Sequence, residues 1–149
     1  MLQRKQTLFF IVAILLLAFT MFSFFIRNEN LVFNSFNLKI YNNGVEQKFL
    51  AFPIAIYLII NILIDFFTIF IYKRRFAQIR FTVFSIIISI GFYGLLLFYH
   101  YWIKKNTTIE FSMYNYTLIS PLLAAVFEFL ALNGIRSDEK LIRESNRIR

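Results

Sequence analysis

The strongest constraint in this sequence is the stretch from Phe49 to Arg80, an apolar run ending at Tyr72 and closed by the basic turn Lys73-Arg74-Arg75 and Arg80. A bilayer's hydrocarbon core, about 30 Å thick, is crossed by about 20 apolar residues of helix, and the run has that length. Basic residues are retained on the cytoplasmic side of short connections, so the turn also assigns a side. Three further runs behave alike. Membrane-spanning helices are expected at about 7–26, 49–72, 81–103 and 117–135, in a single membrane domain covering 1–149. Composition agrees: 59% of the 149 residues are hydrophobic and 16% charged, where a soluble domain carries about 25% charged residues.

The first run opens on Arg4 and Lys5 as a signal peptide would, but it is too long and lacks a small-x-small cleavage site. An uncleaved helix is expected. With the amino terminus inside, eleven basic residues fall on the cytoplasmic side, among them Arg4, Lys5, Lys73, Arg74, Arg75, Arg80 and Arg136, and five fall outside. Both termini are therefore expected in the cytoplasm. The net charge of +8 flanks apolar runs instead of forming one stripe, which points to anionic lipid headgroups and away from nucleic acid.

Asn42-Asn43-Gly44 is a hairpin signal, because Asn and Gly accept the positive φ of a tight turn. Asn37–Tyr41 and Val45–Phe49 flank it. Ile109, Phe111 and Met113 alternate with polar residues and offer a third strand. The expected fold class is an all-α membrane protein: a four-transmembrane-helix bundle with a small extracytoplasmic β-hairpin or three-stranded sheet. The charged tail, 136–149, places Leu141, Ile142, Ser145 and Ile148 on one helical face and reads as a short amphipathic helix lying against the headgroups.

The chain opens Met1-Leu2-Gln3-Arg4-Lys5-Gln6-Thr7, carries Tyr72-Lys73-Arg74-Arg75 with Gln78-Ile79-Arg80 at its centre, and has Pro121-Leu122-Leu123 early in the fourth run. It closes on Ile135-Arg136-Ser137-Asp138-Glu139-Lys140-Leu141-Ile142-Arg143 and Arg147-Ile148-Arg149. In these motifs it resembles a bacterial domain-of-unknown-function family of four-span inner-membrane proteins. The resemblance covers essentially the whole chain and implies the fold and an inner-membrane location. No activity, cofactor or catalytic residue comes with it.

Asp65 and Glu128 are the charged side chains well inside a span, each eight residues before the basic residue that ends its run, Lys73 and Arg136. Both helices run outside to inside, so the two carboxyl groups are expected at one depth. Asn61 shares a helical face with Asp65, and Ser85 and Ser89 share one on the third helix. These five residues form the candidate intramembrane polar cluster. An ionised carboxylate near the bilayer centre costs at least ~2.5–3.5 kcal/mol, and no intramembrane Lys or Arg offsets it. At least one acid is expected to keep its proton.

Two readings follow. In the first, the cluster is neutral interhelical glue in a structural or interaction module, a small subunit with a membrane-protein partner or a homo-oligomer. In the alternative, Asp65 and Glu128 serve a proton- or cation-coupled small transporter or channel. His100 lies among Tyr99, Tyr101 and Trp102, an interfacial aromatic belt. With no cysteine, and no nucleophile, phosphate-loop or zinc motif, no enzyme, cofactor or metal is expected.

Overall fold

The structure, a computed structural model, describes residues 3–28, 31–42, 45–72, 74–106 and 115–147. Four helices, α1 (Gln3–Phe22), α2 (Phe52–Phe70), α3 (Arg75–Asn106) and α4 (Ser120–Arg147), pack in the cyclic order α1-α2-α3-α4. Each carries a stretch long and apolar enough to cross a membrane. Side-chain pairs across the contacts are antiparallel. Gln6 meets Asp138 and Thr20 meets Ser120 between α1 and α4, and Asn61 meets Ser89 and Asp65 meets Ser85 between α2 and α3. The start of α1 and the end of α4 therefore lie at one end of the bundle, the terminal end.

The buried residues follow the spacing of a left-handed helical bundle, alternating three and four apart. On α1 they are Gln6, Phe10, Ala13, Leu17 and Thr20; on α3 they are Gln78, Thr82, Ser85, Ser89, Phe92 and Leu96. The α3 seam changes character halfway along. It is polar from Gln78 to Ser89 and apolar from Phe92 outward.

The opposite end of the bundle carries a four-stranded antiparallel meander, β1 (Phe24–Asn28), β2 (Leu31–Asn34), β3 (Asn37–Asn42) and β4 (Val45–Leu50), in the order β1-β2-β3-β4. This corrects the expected hairpin or three-stranded sheet, because the segment between α1 and α2 supplies four strands by itself. α1 ends at Phe22, and Phe24–Ile26 leave the expected first span to pair with β2 as part of β1. A bulge between Phe24 and Ile26 lets Phe25 and Ile26 both point inward, against the normal alternation. Asn34 Oδ1 accepts the backbone N–H groups of Phe36 and Asn37 at 3.1 and 2.6 Å, closing the β2–β3 turn as an Asx-type turn. The third strand expected near 109–113 and the Asn43-Gly44 turn lie outside the described residues.

The sheet's inner face, with Phe25, Leu31, Phe33, Leu38 and Ile40, merges with Leu17, Ile54, Leu58, Phe92, Leu96 and Ile103 into the main apolar core. Phe25 stacks edge-on against Phe33 and Phe92, with centroids 5.3 and 5.9 Å away. A second, smaller core of Phe10, Ala131 and Ile135 lies nearer the terminal end.

The charged tail is not a separate helix lying across the end. Residues 136–147 continue α4 without a break. Gly134, which reads as a helix exit, is instead a close-approach site, where a Cβ would stand 3.1 Å from Gln6 Cγ. Gln6 then reaches past it to donate from Nε2 to Asp138 Oδ2 at 2.6 Å, a buried bond.

Candidate functional site

The polar half of the α3 seam faces a polar stripe on α2. Sequence spacing alone puts Asn61, Asp65 and Thr68 on one face, and packing against α3 buries all three. Ser85 Oγ lies 2.6 Å from Asp65 Oδ1 and 2.8 Å from Asn61 Oδ1. Asn61 Nδ2 donates to Ser89 Oγ at 2.7 Å, and Ser89 Oγ donates to Glu128 Oε1 at 2.9 Å. The structure thus brings all five candidate residues into one network joining α2, α3 and α4. Each is at most 1% exposed.

Two oxygens of the network, Asp65 Oδ2 and Glu128 Oε2, have no hydrogen-bond partner, while the other oxygen of each carboxyl group is tied into the same chain through Ser85, Asn61 and Ser89. Two ionised carboxylates are acceptors only, so a bond between them requires a proton on one. Among the described residues no cluster of three His, Asp or Glu side chains could hold a metal ion.

One turn outward, Tyr57 Oη donates to the Ile88 carbonyl at 3.0 Å, and Gly91 provides its space: a methyl group there would collide with the Tyr57 hydroxyl. Helix propensity favours Gly→Ala by about 0.5–1 kcal/mol, whereas overpacking a fixed ring costs about 1–3 kcal/mol. Gly91→Ala is therefore expected to destabilise the protein, and to become neutral or stabilising when combined with Tyr57→Phe. Unfolding in detergent followed by circular dichroism reads this change of sign.

The seam extends toward the terminal end through residues not singled out from the sequence. Gln78 Nε2 donates to the Thr68 carbonyl at 3.4 Å, and Thr82 Oγ donates to the Gln78 carbonyl at 2.8 Å. Gln78 and Thr82 continue the spacing of Ser85 and Ser89, the one signal that could have found them. Beyond them Gln6, Thr7, Tyr72, Arg75, Gln78 and Asp138 line a small cavity of about 20 Å³, room for about one water molecule.

Of the basic residues expected to mark topology, Lys5, Arg74, Arg80 and Arg136 are exposed near the terminal end. Arg75 differs, being turned partly inward with a buried, unpartnered Nη1. Lys73 and the side chain of Arg4 lie outside the described residues.

These features define a class: a bundle of four membrane-length helices, capped by a small sheet at one end and pinned by a buried acid pair. The chain belongs to the family described as "Domain of unknown function (DUF4293)", whose profile matches residues 2–148. No curated protein and no solved structure matches it.

Proposed function

We propose that the chain is a multi-pass protein of the bacterial inner membrane that works as a structural or interaction module, a small subunit of a membrane complex. Its polar cluster is a proton-sharing pin across three helices. The supporting observation is the closure of that cluster: Asp65, Glu128, Asn61, Ser85 and Ser89 are all sealed from the surface and bonded among themselves. Membrane insertion is supported by the outward faces. Only 28–44% of the residues in the four apolar stretches are buried inside the bundle, and phenylalanines such as Phe19, Phe66, Phe70 and Phe84 face out. Surfaces of that kind in a soluble monomer would far exceed ordinary apolar patches. The basic terminal end is the cytoplasmic end on this reading, facing anionic headgroups.

The test uses the double variant Asp65→Asn/Glu128→Gln, reconstituted in vesicles beside the unaltered chain. Amides keep the volume and much of the hydrogen bonding, so the variant is expected to fold, to co-purify the same partner in mild detergent, and to leave proton and cation flux at the level of empty vesicles. Flux carried by the unaltered chain and lost in the variant would establish the alternative, a proton- or cation-coupled transporter. That alternative rests on the two donorless carboxyl oxygens.

A further inference from the structure

We infer that the Asp65–Glu128 pair is a proton-binding site reached from the terminal end alone, along the polar seam through Gln78, Thr82 and Thr68. The inference rests on the reading above that the pair shares a proton, and adds where protons enter. Glue alone needs no polar residues beyond the five of the cluster. Yet the α2–α3 contact stays polar and buried from the pair to the small cavity, with Thr68 and Thr82 at 0% exposure and Gln78 at 6%.

Distances separate the two directions. From Ser85 to Gln78 is seven helical residues, about 10 Å, and the buried seam positions along it are Thr82 and Gln78. From Ser89 outward, α3 buries Phe92, Leu96 and Ile103, about 20 Å of helix sealed above by the sheet. On that side the fully buried α3 positions carry no hydroxyl, and Tyr57 and Tyr93, whose hydroxyls donate to the carbonyls of Ile88 and Leu118, are only half-buried beside them.

The cavity at the entrance is large enough for a water, and its wall, which includes Ile69 and Ile135, also carries Gln6, Gln78, Asp138 and Arg75 with its unpartnered Nη1. Thr68 and Thr82 hydroxyls donate to carbonyls of their own helices. Their lone pairs stay available as acceptors, and a proton passes along when the hydroxyl turns from its carbonyl toward the next acceptor. A proton leaves water in the cavity, crosses this seam, and settles on a free oxygen of the carboxyl pair; release is the reverse. The ionisable groups facing the pair are its own two members, one from α2 and one from α4. α3 presents Ser85 and Ser89, and the buried positions of α1, from Gln6 to Thr20, include no ionisable side chain.

The experiment is infrared spectroscopy of the full chain in lipid nanodiscs after transfer into deuterated buffer, following the carbonyl band of the protonated carboxyl. Gln78→Leu and Thr82→Val are expected to slow its exchange about tenfold, the rate equivalent of about 1.4 kcal/mol. Tyr57→Phe and Tyr93→Phe, on the sheet side, are expected to leave it unchanged. Thr82→Val is isosteric and carries the test should Gln78→Leu not fold. Unchanged exchange in Thr82→Val, or equal slowing by the tyrosine variants, overturns one-sided entry while leaving the shared proton intact. A band that survives in Asp65→Asn/Glu128→Gln overturns the shared proton itself.

Discussion

Glu128→Ala is expected to destabilise the bundle by about 3 kcal/mol, and Glu128→Gln by less than about 1 kcal/mol, in reversible unfolding from detergent micelles. Two effects compete for the explanation. Interhelical hydrogen bonds within membranes average only about 0.6 kcal/mol each, and Glu128 makes one, accepting from Ser89. Truncating a buried side chain that size costs about 2–5 kcal/mol through the cavity it leaves, and Glu128 is at 0% exposure. Volume therefore dominates. Glutamine keeps the volume, accepts from Ser89 through its carbonyl, and donates to Asp65 through its amide, replacing the shared proton. Equal losses in the two variants would mean that ionisation, and not space filling, makes Glu128 necessary.

The acid pair was readable from the sequence for a physical reason. An ionisable residue among twenty apolar neighbours must face the bundle interior, and equal offsets from the basic helix ends set the two depths. Gln78 was hidden because it falls in the basic turn ahead of the span expected from residue 81, which leaves Thr82 at that span's edge. α3 in fact begins at Arg75, so Gln78 is already helical and one turn from Thr82.

Phe24–Asn28 were hidden differently. Phe24-Phe25-Ile26 prolongs an apolar run, and a short apolar strand cannot be told from helix by periodicity. The deciding interaction is the pairing of Ile26, Arg27 and Asn28 with Phe33, Val32 and Leu31 of β2. Gly134 misled in the other direction. Glycine inside a helix costs about 1 kcal/mol relative to alanine, but here it admits Gln6 to Asp138, a contact between residues 132 apart in sequence that no local pattern reveals.

Phe33→Ala is expected to cost about 3–5 kcal/mol, the range for deleting a buried aromatic, and to loosen the sheet ahead of the helices. Phe33 is fully buried on β2, edge-on to Phe25 at 5.3 Å and tilted against Tyr99 of α3 at 5.7 Å. It thus touches both the neighbouring strand and the helix end on which the sheet sits. Small sheets need a face packed against other structure to be stable, and this side chain is central to that face. Val32, the next residue, is half-buried on the opposite face, so Val32→Ala is expected to cost less than about 1 kcal/mol by the same rule for burial. Trp102, the sole tryptophan, packs edge-on against Phe49 of β4 at 5.3 Å and reports directly on the sheet. In Phe33→Ala its emission should shift at lower denaturant than the loss of helical circular dichroism. Coincident transitions would show that sheet and bundle unfold as one unit, and that the sheet is held by more than this aromatic contact.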